Sequence, residues 1–135
     1  MNILELAKRN QQKAWEIIED TRIVRIWEGI GAKVNLVGSL RTGLLVKHRD
    51  IDFHIYTSPW DLSASFRAMA ELAENTSVKK IEYNEFITYS RSVYRVACMV
   101  SGYEGELWQM DMIHIKKALV MMAILKGRPN AFLRY

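Results

Sequence analysis

Residues 50–56 read Asp-Ile-Asp-Phe-His-Ile-Tyr, an unbroken alternation of polar and apolar side chains. In an extended strand successive side chains point to opposite faces. Asp50, Asp52 and His54 therefore share one face, while Ile51, Phe53 and Ile55 share the other. Only a strand with one face in a core and the other open satisfies that pattern. The fold must build an apolar layer on one side of this strand and leave two carboxylates on the other. Half of the 135 residues are apolar, which is enough for a core in one domain of this size.

The rest of the chain supplies the layers. Leu4, Ala7, Gln11, Ala14, Trp15 and Ile18 recur at three- and four-residue intervals, as do Ile23, Ile26, Trp27 and Ile30. That spacing predicts two amphipathic helices or one bent helix over residues 1–33, with Gly29-Ile30-Gly31 ending it. Trp15 and Trp27 belong to these stripes as core residues, with stacking on a base as the alternative. Val34-Asn35-Leu36-Val37 is a short strand. Ser58-Pro59-Trp60-Asp61 predicts a helix start with Ser58 as N-cap and Pro59 in the first position, running to about Glu74. Residues 78–90 read as short strands with a polar break near Asn84. Tyr94–Val100 and Glu106–Ile115 flank a glycine-containing loop and predict a β-hairpin. Lys117–Lys126 reads as a closing helix, with Gly127 as its cap and Pro129 as its stop.

The chemistry gathers around the two aspartates. Like charges on one face repel unless a cation lies between them, and Mg²⁺ is a hard ion suited to carboxylate and phosphate oxygens. Twelve positions before Asp50 stands Gly38-Ser39, a small turn able to hold phosphate. A third carboxylate is expected to complete such a site. Asp111, inside the apolar-rich run 106–115, is the candidate, because an acid there is costly unless paired or bound to metal. The plainer reading makes it an edge-strand or turn-facing acid.

Taken together, Gly38-Ser39-Leu40-Arg41-Thr42-Gly43, Asp50-Ile51-Asp52 and Asp111 resemble the nucleotidyltransferase superfamily, in which Gly-Ser, Asp-x-Asp on the next strand and a later third carboxylate recur. The chain carries Leu40 where minimal members have arginine and Arg49 where they have serine, so Arg41 is the nearest substitute for the phosphate-side arginine. The resemblance implies an α/β (α+β) fold, a mixed β-sheet flanked by helices in a single minimal domain. Residues 1–33 would form an N-terminal helical segment, 34–115 the catalytic core and 116–135 a C-terminal helix.

The resemblance also implies transfer of a nucleoside monophosphate from a nucleoside triphosphate to an acceptor hydroxyl, with two Mg²⁺ held by Asp50, Asp52 and Asp111. Gly38, Ser39 and Arg41 would hold the phosphates, and Asp111 would be the candidate general base. Lys47 and Arg49 are further phosphate candidates, each with a plain alternative as a solvated surface charge. A small-molecule acceptor is expected, with nucleic acid the less favoured alternative and a homodimer or partner protein completing the cleft. A catalytically inactive nucleotide-binding or antitoxin-like module of the same fold is the competing reading.

Other classes fit poorly. Gly38 and Gly43 have Walker spacing, but Leu44-Leu45 stand where lysine and serine or threonine must contact phosphate and metal. Gly29-Ile30-Gly31 precedes a strand instead of following one, unlike a dinucleotide fingerprint. Cys98 is the only cysteine, which excludes an intrachain disulfide, and its apolar neighbours predict a buried thiol. No apolar run reaches eighteen residues and no signal-peptide pattern opens the chain, so a soluble, cytoplasmic protein without a membrane partner is expected. A net charge of +4 is compatible with an anionic substrate and does not choose among acceptors.

Overall fold

A computed structural model describes residues 2–43, 49–88, 91–102 and 105–116. The expected closing helix 117–126 and Lys47 lie outside these residues. Helix α1 (Ile3–Thr21) begins where the Asn2 side chain accepts the Glu5 N–H at 2.8 Å. It buries Ala7, Ala14, Ile17 and Ile18. The helical stretch then breaks at Arg22, whose φ of 57° is left-handed, and α2 (Ile23–Gly29) follows. The segment is thus two helices and not one bent helix. Of the two tryptophans, Trp27 is fully buried and Trp15 is half exposed. The Trp27 indole N–H donates to the Met112 sulfur at 3.3 Å, fixing α2 to the sheet.

Strands β1 (Lys33–Val37), β2 (Asp50–Thr57), β3 (Val78–Thr88), β4 (Arg91–Ser101) and β5 (Leu107–Lys116) form one sheet in the order β1-β2-β5-β4-β3. The β2–β5 pair is parallel and the other pairs are antiparallel. A five-residue helix, α3 (Gly38–Thr42), joins β1 toward β2, and α4 (Leu62–Leu72) follows β2. β2 alternates half-buried and buried positions along its whole length. Its buried set, Ile51, Phe53 and Ile55, joins Met110 and Met112 of β5, Val96 and Cys98 of β4, and the apolar faces of α1, α2 and α4 in one core. The opposite face carries Asp50, Asp52 and His54. No described helix is long and apolar enough to cross a membrane.

Two local expectations change. The α4 N-cap is Asp61, not Ser58, and its carboxylate accepts both the Ser63 N–H at 3.0 Å and the Ser63 hydroxyl at 2.7 Å. An aspartate that satisfies two donors fixes the helix start better than the earlier serine. Residues 78–88 form one continuous strand, because Asn84 pairs in register with Arg95 of β4 and the ladder runs through the polar position. The predicted hairpin is present as β4 and β5. Cys98 is buried within it, and burial pushes its thiol up to about 11, well away from a reactive thiolate.

Candidate active site

Register brings the distant residues together. Val37, the last residue of β1, pairs with Asp52, so the chain enters Gly38 directly beside that carboxylate. Asp52 in turn pairs with Asp111 across the parallel β2–β5 ladder, and Asp50 pairs with Gln109. Asp111 occupies an interior strand between β2 and β4, which removes the edge-strand reading. Asp50, Asp52 and Asp111 share the face turned away from the core.

Gly38 is required where it stands. Its φ is +76°, and a Cβ added there would lie 2.5 Å from Asp52 Oδ2 and 3.2 Å from its Cγ. Only glycine lets the backbone come this close to the carboxylate. Gly38 and Ser39 are exposed at the opening turn of α3, while Leu40 is 4% exposed and anchors that turn in the core. Leu40 therefore holds the turn from behind and does not fill the phosphate side. Arg41 is exposed in the last turn of α3. Gly43 closes α3 with a left-handed φ of 78°, and its carbonyl accepts the Gln11 side-chain N–H of α1 at 2.8 Å.

The electrostatics follow from the crowding. Burial, reinforced by the charges of Asp111 and Asp50 and partly offset by Arg95, pushes Asp52 up to about 6. Asp111 has its own partners. The Arg95 guanidinium donates from Nε to Oδ1 at 2.9 Å and from Nη2 to the same oxygen at 2.5 Å, and the Gln109 amide reaches both carboxylate oxygens at 3.0 Å. Neither Arg95 nor Gln109 was singled out in the sequence. The available signal was phase, since Gln109 lies two places before Asp111 and Arg95 is the charged residue opening the apolar run Val96–Val100.

A carboxylate pair whose like charges repel, with hard oxygen donors on an open face, suits a divalent cation. Asp50 and Asp52 meet that test as they stand. Asp111 meets it by position, although its oxygens are turned to Arg95 and Gln109. Among the described residues, no three acidic, histidine or cysteine side chains are already gathered as a ready-made metal cage.

The histidines separate by face. His54 lies on the carboxylate face between Asn35 and Ile113, and burial lowers its pKa. His114 is fully buried on the core face, where its Nε2 lies 2.8 Å from the Thr57 hydroxyl and its Nδ1 lies 2.6 Å from the Ser65 hydroxyl. Burial pushes it down to about 4. It is a structural residue.

Comparison with known proteins identifies the family and the fold. The nucleotidyltransferase domain profile matches residues 9–116, and the chain belongs to that family. The poly(U) polymerase Cid1 in its MgGTP-bound structure is similar at 16% identity and a TM-score of 0.52, covering 87% of this chain and 36% of that one. The complex of the non-canonical poly(A) polymerase GLD-2 with GLD-3 gives 13% identity and 0.53, covering 84% and 40%. A cytoplasmic RNA terminal U-transferase gives 16% and 0.52, covering 85% and 31%. At these identities the likeness is one of fold. The chain spans 31–40% of the length of these three structures. No curated protein matches the sequence.

Proposed function

We propose that the chain transfers a nucleoside monophosphate from a nucleoside triphosphate to the hydroxyl of a small-molecule acceptor, releasing pyrophosphate. The observation that carries this reading is the fit of the Gly38 backbone against Asp52, with Asp111 as the strand neighbour of that same residue. A glycine-serine turn and the carboxylate face of β2 and β5 then adjoin one another. The backbone N–H groups of Gly38 and Ser39 and the Ser39 hydroxyl hold the β- and γ-phosphates. Arg41, exposed beside them, screens the leaving pyrophosphate. Asp50 and Asp52 would hold Mg²⁺, and Asp111, the strand neighbour of Asp52, would be the third carboxylate available to a second ion. Mg²⁺ held there would supply charge neutralisation on the triphosphate and a lowered pKa for the acceptor hydroxyl. In this reading Asp111 is the general base that receives the hydroxyl proton.

The engagement of Asp111 by Arg95 favours a second reading, a nucleotide-binding or antitoxin-like module that has kept the fold without turnover. Calorimetry of a nucleoside triphosphate with Mg²⁺ tests the site itself. Binding by the native chain and its loss in the Asp50→Ala/Asp52→Ala double variant is the expected result, and equal binding by both would remove the site. Pyrophosphate release with acceptor then separates the enzyme from the silent module.

A further inference from the structure

A cleft of about 570 Å³ opens between the first half of α1 and the beginnings of β2 and β5. Its volume is within the range of small-ligand sites, about 300–1,000 Å³. Asp50 and Gln109 form part of its wall, so it is continuous with the carboxylate face. Gly38 approaches Asp52 from the β1 side, whereas the cleft lies on the β5 side of Asp50. An in-line displacement needs the entering and leaving oxygens on opposite sides of the phosphorus. With the pyrophosphate end at Gly38-Ser39, the entering hydroxyl comes from the cleft.

The charge of the cleft selects what enters. Arg9, Lys13 and Arg49 line it together with Glu106. Lys13 Nζ lies 2.6 Å from Glu106 Oε1, and Arg49 Nη2 lies 3.1 Å from Oε2. Lys13, Arg49 and Arg9 together hold the Glu106 carboxyl below its usual range. Three cations thus surround one carboxylate. Asp50 is the other acid of the lining, and the nucleotidyl-transfer reading commits it to metal.

Resting on that reading, we propose that this cleft is the acceptor site and that the acceptor carries a phosphate ester beside its reacting hydroxyl. Arg9 and Arg49 take the phosphate, and Lys13 keeps Glu106 oriented. The acceptor oxygen forms a bond to the α-phosphorus and the bond to pyrophosphate breaks. The hydroxyl proton leaves to Asp111 or solvent. A polycationic amino-sugar acceptor meets a repulsive wall of Arg9, Lys13 and Arg49 here.

The test uses the full chain with its donor site saturated by a non-hydrolysable nucleoside triphosphate and Mn²⁺, a binding step measured first and separately. Absence of that donor binding counts against the nucleotidyl-transfer reading. With the donor bound, a nucleoside monophosphate, a short oligoribonucleotide and an aminoglycoside are titrated by calorimetry. Binding of one or both phosphate esters to the donor-saturated chain, weakened at least tenfold in Arg9→Gln/Arg49→Gln at an equally saturated donor site, supports the proposal. Preference for the oligomer identifies a strand, and equal binding identifies a small phosphate ester. Glu106→Gln, which frees two cations, should tighten phosphate binding at least threefold, where a merely structural role for Glu106 would weaken it. Equal phosphate binding by the native and Arg9→Gln/Arg49→Gln chains, or tighter binding of the aminoglycoside, overturns the proposal while leaving the donor site intact.

Discussion

Replacing Gly38 by alanine isolates the contact on which the site depends. Two costs arise at that position. A left-handed φ of +76° costs an L-residue about 1–2 kcal/mol. The new Cβ would also lie 2.5 Å from Asp52 Oδ2, 3.2 Å from its Cγ and 3.3 Å from its Cβ. The carboxylate must turn aside, and an off-rotamer side chain costs a further ~1 kcal/mol. Gly31 is the control, because its φ is +87° and a Cβ there meets nothing within 4 Å. Alanine also reduces the freedom of the unfolded chain by a similar amount at both sites, about 0.4–1 kcal/mol. Subtracting one variant from the other cancels that effect and the φ strain, leaving the Asp52 contact. Urea unfolding should show Gly38→Ala less stable than Gly31→Ala by about 1 kcal/mol. Triphosphate binding with Mg²⁺ should fall at least tenfold in Gly38→Ala and remain within twofold of native in Gly31→Ala. Equal stabilities together with equal nucleotide affinities would refute the reasoning.

Three further outcomes follow from the charges. Asp52 titrates near 6 in the fold against 3.8 in its absence, so the folded state keeps a proton that the unfolded chain has lost, and metal-free stability declines as pH rises from about 4 to 6. Asp52→Asn should therefore exceed the native protein in stability at pH 7.5 by about 1–2 kcal/mol after allowance for solvent screening, with the gap closing below pH 4; a constant gap in urea unfolding across that range contradicts the assignment. Arg95→Met leaves Asp111 without its guanidinium and should cost about 1–3 kcal/mol without metal, a deficit that Mn²⁺ reduces in thermal melts; an unchanged deficit at saturating Mn²⁺ would show that Asp111 takes no cation. His114 titrates near 4 against 6.5, so its contribution is present above pH 6.5 and is lost as pH falls toward 4, opposite in sign to that of Asp52. Ser65→Ala, which removes the hydroxyl at His114 Nδ1, should cost about 1–3 kcal/mol at pH 7.5, and a neutral result would show that this buried pair contributes no net stability.

What could be read in the sequence was local in origin. The alternation in residues 50–56 is a property of consecutive residues, and it correctly divided Ile51, Phe53 and Ile55 from Asp50 and Asp52. The strand turn at Gly38 was legible for the same reason, and Asp111 was conspicuous as an acid in an apolar run. Its pairing with Asp52 was different, because the register between two strands separated by α4, β3 and β4 is set by packing of the whole sheet. That is why Arg95 and Gln109 escaped notice: each has ordinary strand-surface chemistry until register places it on Asp111. The α4 cap falls on Asp61 and not Ser58 because the Asp61 carboxylate accepts both the Ser63 N–H and the Ser63 hydroxyl. The continuity of β3 through Asn84 depends on β4, which residues 78–90 do not encode.

The central claim is that Asp50 and Asp52 hold divalent metal beside a phosphate-binding Gly38-Ser39 turn. Anomalous scattering from crystals soaked with Mn²⁺ and a non-hydrolysable triphosphate measures it directly. The account predicts a manganese peak between the Asp50 and Asp52 carboxylates, with the terminal phosphates on the Gly38 and Ser39 backbone. Manganese bound to other residues, or a triphosphate seated away from that turn, would contradict it.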